Sequence, residues 1–137
     1  MIEPIVIDGK QVAIIVRAGY HPERTEFVTT SENVLQLGYI VYGAGKSITP
    51  HLHRNLERRI KGTPEVLYVR TGKMRATFYS SEKMRQDEVI LHQGDVILLL
   101  DGGHGFEMLE DTVLMEIKQG PYLGEMDKER FTDDSGQ

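Results

Sequence analysis

A chain of 137 residues, 39% hydrophobic and 27% charged, has the size and composition of one ordinary globular domain with a core of its own. Its net charge of −5 argues against non-specific nucleic-acid binding, which needs Lys and Arg to neutralise phosphates. The lack of cysteine excludes disulfide scaffolds, zinc–thiolate sites, iron–sulfur clusters and thiol nucleophiles.

In chain order, short β-rich segments alternate with turn signals every roughly 8–12 residues, the rhythm of a sandwich or barrel. Segments 4–7 and 11–17 flank Asp8-Gly9-Lys10, a strong hairpin signal. Segments 26–30 and 34–42 are the next candidate strands. Segments 66–70 and 73–79 flank the tight turn Thr71-Gly72, and 88–92, 95–100, 106–110 and 112–118 follow. Only 54–61 reads as a short helix or an irregular loop, and a further turn is expected after Gly124. The expectation is an all-β single domain over 1–137. Its core lies at about 26–118, with 1–17 as N-terminal strands and 124–137 as a polar, frayed tail. Closure into a barrel is expected, because this many strands otherwise leaves exposed edges. No apolar run approaches the roughly 20 residues that span a bilayer, and the N-terminus lacks signal-peptide regions. A cytoplasmic protein without a membrane partner is expected.

The chemistry-bearing residues begin at His51-Leu52-His53. On an extended strand a His-x-His pair presents both imidazoles to one face, and neutral imidazole is the commonest metal ligand. Glu65 then opens an apolar strand with Leu67 and Val69 on its face, where a carboxylate is costly to bury unless paired or bound to a cation. His104 follows the turn Asp101-Gly102-Gly103, with Phe106 and Met108 on its face.

The stretches 45–72 and 94–104 together resemble the two sequence motifs of the cupin superfamily. Gly45, His51, His53, Glu65 and Gly72 match the first motif; Gly94 and His104 match the ends of the second. The resemblance implies a cupin-type jelly-roll β-barrel with His51, His53, Glu65 and His104 as metal ligands. Three departures stand out. Residues 54–64 separate His53 from Glu65, a longer interval than the family usually has, and Glu57 sits at the usual spacing as a rival ligand. Glu65 is preferred because the strand and turn that should follow the ligand follow it, whereas Glu57 would put Pro64 at the turn glycine. Leu100 replaces a proline in the second motif, whose turn is one residue short, and Met108 stands where asparagine is common. A site of three imidazoles and one carboxylate suits a divalent transition metal ion, Fe, Mn, Ni, Co, Cu or Zn.

The long interval carries Arg54, Arg58, Arg59 and Lys61, a basic stretch in an acidic protein, suited to an anionic small molecule or else paired with Glu57 and surface acids. Tyr42, Gln36 and Ile40 share a face before the first motif. Glu116 and Lys118 share a face on the last strand, read as a surface cross-strand pair unless they turn toward the cavity. Segment 116–128 resembles, more faintly, the end of cupin metalloproteins of bacterial surface-polysaccharide pathways. The expected function is metal-dependent chemistry on a small polar, anionic metabolite such as a sugar or nucleotide-sugar derivative. Isomerase- or epimerase-like action stands ahead of dioxygenase-like action; the alternative is a non-catalytic small-molecule or metal-binding module. The resemblance also implies a homodimer.

Overall fold

The computed structural model describes residues 1–133; the expected fraying of 134–137 lies outside the described residues. The strands are β1 (Ile2–Ile7), β2 (Lys10–Val16), β3 (Glu26–Phe27), β4 (Gly38–Tyr39), β5 (Glu65–Thr71), β6 (Lys73–Tyr79), β7 (Arg85–His92), β8 (Val96–Leu99), β9 (Gly103–Met108) and β10 (Val113–Lys118). The only helical element among the described residues is a 3-10 turn, Gly124–Asp127. Among the described residues, no helix is long and apolar enough to cross a membrane. The chain divides into two compact units, one made of Met1–Tyr20 with the chain from Thr63 onward, the other of His21–Gly62.

The larger unit is all-β and antiparallel. Five strands run in the order β1-β2-β8-β5-β10 and three in the order β7-β6-β9. The hairpin expected at Asp8-Gly9 forms, with positive φ at both residues (51° and 74°), the turn whose twist matches its strands. One apolar cluster joins the sheets: Ile15, Leu67, Val69, Ile97 and Leu99 from the first meet Met74, Ala76, Phe78 and Leu91 from the second. Ile5, Ile7, Val12 and Ala13 belong to the same cluster, so the N-terminal hairpin is part of the core. The ladders do not close into a ring: β1 and β10 are edges of one sheet, β7 and β9 of the other.

The Thr71-Gly72 turn joins two sheets rather than two paired strands, since β5 pairs with β8 and β10, and β6 with β7 and β9. Gly72 has φ +90°, and a Cβ there would meet the Asp111 carbonyl and lie 2.7 Å from Thr112 Cα. Backbone strain and backbone overlap add at this corner, so Gly72→Ala should cost about 2–4 kcal/mol, read from the urea midpoint.

The smaller unit holds little regular structure. The strands expected over 26–30 and 34–42 shrink to the two-residue ladder of β3 and β4. Local side chains capture the backbone instead. Asn33 Oδ1 accepts from Thr30 N–H at 2.9 Å, and Gln36 Nε2 donates to the carbonyls of Thr30 and Asn33 at 2.9 and 2.6 Å. Such bonds stabilise turns at the expense of strand ladders. Segment 54–61 is irregular, not helical.

The C-terminal segment is anchored as far as Asp133. Thr63 Oγ1 donates to Asp127 Oδ1 at 2.6 Å, tying the 3-10 turn to the head of β5. Farther on, the Phe131 ring packs edge-on to Tyr79 at 5.0 Å, and the Tyr79 hydroxyl donates to Asp133 at 2.7 Å. Residues 119–133 therefore form a strap from the end of β10, in one sheet, to the end of β6, in the other.

Candidate metal centre

Strand register brings Glu65 and His104, both in the larger unit, to one end of the sandwich. Glu65 pairs with Leu99 at the end of β8, and the turn after Leu99 leads within a few residues to His104 on β9. Opposite residues in an antiparallel pair share a face. His104 lies opposite Phe78, which is 1% exposed, so its imidazole points inward. Glu65 shares its strand face with Leu67 and Val69 and is itself only 9% exposed.

β10 adds two residues from the same side. Lys118 lies opposite Glu65 and Glu116 opposite Leu67, so both share the face of Leu114, which packs on the core. On the other face Val113, Met115 and Ile117 are exposed at 54%, 47% and 56%, and Glu116 and Lys118 are exposed as well, so only Leu114 of this strand is half-buried. The surface placement expected of Glu116 and Lys118 holds, but they stand on the face that Leu114 turns to the core, and no ion pair joins them among the described residues. Apolar periodicity misleads here because β10 is an edge strand, and its outer face has no layer above it.

Burial pushes the Glu65 carboxyl above its usual range. The Glu116 carboxylate, close enough to share a proton with it, pushes the same way, and Lys118 and Lys128 only partly offset this. Burial likewise holds the His104 imidazole below its usual value, favouring the neutral ring. The Gly102 backbone and Glu116 act against this, and Lys128 acts with it. Among the described residues, no hydrogen bond satisfies the buried His104 Nδ1. Lys128, just past the 3-10 turn, acts on both Glu65 and His104. It lies beyond the stretch that sequence periodicity could place, and only the anchored strap delivers it.

In the other unit, His51 and His53 are both exposed on a segment without strand structure, contrary to the expected extended strand. Their rings still stand together, centroids 5.3 Å apart and edge to face. His51 Nδ1 lies 2.8 Å from the Thr49 carbonyl. A bond from Nδ1–H to a carbonyl selects the tautomer whose Nε2 lone pair is free, the arrangement that orients metal-binding histidines. Glu57 is exposed on the irregular segment. Arg54, Arg58, Arg59 and Lys61 make no ion pair among the described residues, so the pairing with Glu57 and surface acids is not formed. Gln36 is spent on its turn, and Tyr42 is 57% exposed.

Among the described residues, no three His, Asp or Glu side chains are gathered closely enough to hold a metal ion. Two features nevertheless fit one: a half-buried imidazole with a buried, unpartnered nitrogen, and a buried carboxyl whose affinity for its proton is raised by a neighbouring carboxylate. Without metal, the carboxyl pair should weigh on stability. Glu65→Gln in chelator-treated protein is expected to raise stability by about 1 kcal/mol, read by urea unfolding, while impairing metal uptake. Comparison with known proteins returns no matching family model, no matching curated sequence and no matching solved structure, so the reading of this centre rests on its own residues.

Proposed function

We propose that this chain is a cupin-type metalloprotein acting on a small, polar, anionic metabolite such as a sugar or nucleotide-sugar derivative. The observation that carries the proposal is the buried, unpartnered Nδ1 of His104 at the same end of the sandwich as the buried Glu65. For the fold, the supporting feature is that β7, β8, β9 and β10 alternate between the two sheets, the crossing pattern of a Greek-key jelly roll. For the full ligand set of His51, His53, Glu65 and His104, the support is the motif spacing in the sequence, together with the tautomer that Thr49 imposes on His51. A divalent transition metal in this set would supply Lewis-acid polarisation of a substrate carbonyl or hydroxyl.

The chain's own residues carry the rest. His104, held neutral by burial, keeps its lone pair available near neutral pH. The Glu65 and Glu116 carboxyls, able to share a proton, offer a place to take up or return one beside a bound substrate. Isomerisation or epimerisation matches such a site better than oxidative cleavage, because it needs proton transfer and carbonyl polarisation but no second substrate. The homodimer implied by the family resemblance remains part of this reading.

Elemental analysis of protein purified without added metal, followed by titration, tests the proposal. Bound transition metal near one per chain is expected; none bound and none taken up overturns it. Turnover of a panel of nucleotide-sugars and sugar acids by the loaded protein then separates an enzyme from a non-catalytic binding module.

A further inference from the structure

We propose that Lys118 and Lys128 form the anion-holding side of the open sandwich end, with Glu65 and Glu116 as hydroxyl acceptors, so that this end takes a polyhydroxylated anion. The inference deepens the proposed function and rests on its reading of this end as the site.

Four observations carry it. Strand register sets Lys118 directly across from Glu65, with Glu116 on the same face two residues away. The strap, fixed by Thr63–Asp127 at one end and by Phe131 against Tyr79 at the other, carries Lys128 one residue after Asp127, whose partner Thr63 lies two residues before Glu65. The Lys128 charge is felt at both Glu65 and His104. Neither lysine forms an ion pair among the described residues, so their ammonium donors are not consumed by Glu65 or Glu116. The Lys118 ammonium lies 5.8 Å from the centre of the Tyr122 ring, a contact that orients it.

The donor and acceptor inventory then selects the ligand. Ammonium groups only donate, and two carboxyls that share one proton still present free acceptor oxygens and a net negative charge. A bare anion would meet the lysines but be repelled by Glu65 and Glu116. A neutral sugar would satisfy the carboxylates and leave the lysines unmatched. A molecule with both an anionic group and hydroxyl donors satisfies both sides, and the shared chemistry belongs to sugar acids and sugar phosphates alike.

Isothermal titration of the full chain, both metal-free and metal-loaded, with galacturonate, glucose 1-phosphate, galactose and acetate tests this. At least one of the first two should bind about tenfold or more tightly than galactose or acetate, and the better of the pair names the anionic group. Lys118→Gln and Lys128→Gln should each weaken that binding about tenfold, with unfolding midpoints unchanged because these lysines make no ion pair. Unchanged affinity in both lysine variants, affinity lost instead in Arg58→Gln/Arg59→Gln, acetate bound as well as galacturonate, or no binding of either sugar anion overturns the inference. Metal content is measured on the same samples. Lysine-dependent binding in protein that takes up no metal sinks the metal reading and leaves this inference standing; normal metal uptake with lysine-independent binding does the reverse.

Discussion

Replacing Asp95 with alanine is expected to cost about 3–5 kcal/mol, because it strips the part-buried Arg17 of one of its two carboxylates and leaves the Ala18 and His92 N–H groups without an acceptor. Asp95 is 4% exposed. Its carboxylate accepts from the N–H of Ala18 at 2.9 Å, the N–H of His92 at 3.0 Å and Arg17 Nη1 at 2.9 Å. Arg17 in turn donates to both Glu3 oxygens at 2.9 Å and to the Ile90 carbonyl at 2.8 Å. One carboxylate thus joins the ends of β2 and β7, and with them the two sheets.

Burial alone would raise the Asp95 pKa. The His92 and Ala18 N–H groups and the Arg17 guanidinium outweigh it and hold the group below the usual carboxylate range. A depressed folded-state pKa means that the stabilisation is fully present above the unfolded value of about 3.9 and is lost as pH falls through the folded value. Glu3, lowered by its hydrogen bonds with Arg17, adds in the same direction. Urea unfolding of the wild-type protein should therefore weaken steeply below about pH 4, and the Asp95→Ala variant should lose most of that dependence. Asp95 precedes β8, whereas Glu65 pairs with Leu99 at its far end, so metal affinity should be unchanged in the variant. A variant with normal stability, or one that keeps the full acid sensitivity, would remove Asp95 from this role.

The second large effect concerns the four residues proposed as ligands. Alanine at His51, His53, Glu65 or His104 should each lower metal affinity on the order of a hundredfold or more, since even outer-shell partners of such sites are worth 10–100-fold. Turnover, where found, should fall with it. Glu57→Ala should leave affinity unchanged. Competition titration against a chelator, with elemental analysis of the purified variants, reads both. If uptake survives Glu65→Ala and is lost in Glu57→Ala, the carboxylate ligand is Glu57, as the usual family spacing would have it. Folding of the variants is checked by unfolding midpoints, which exposed His51 and His53 should not move.

Local signals sufficed where neighbouring residues decide the outcome. Asp8-Gly9 makes its hairpin because both residues tolerate positive φ, and the apolar runs of β2, β6 and β8 form strands because they are buried whichever sheet they join. They failed where polar side chains compete with the ladder. Thr29, Thr30, Asn33 and Gln36 draw segment 26–42 into turns, and a strand pattern carries no account of that competition.

The sequence by itself determined the all-β class, most strand positions and the imidazole and carboxylate residues that could bind a metal, because alternation, turn chemistry and side-chain type are properties of neighbouring residues. Tertiary structure alone decided that Thr71-Gly72 turns a corner between sheets, since pairing partners lie far away in the chain. It also decided which face of β10 looks inward, because an edge strand's burial depends on what packs above it. Lys128 and the anchored strap that carries it belong to the same class: the Phe131, Asp133 and Thr63 contacts that fix the strap span tens of residues, beyond the reach of any local periodicity.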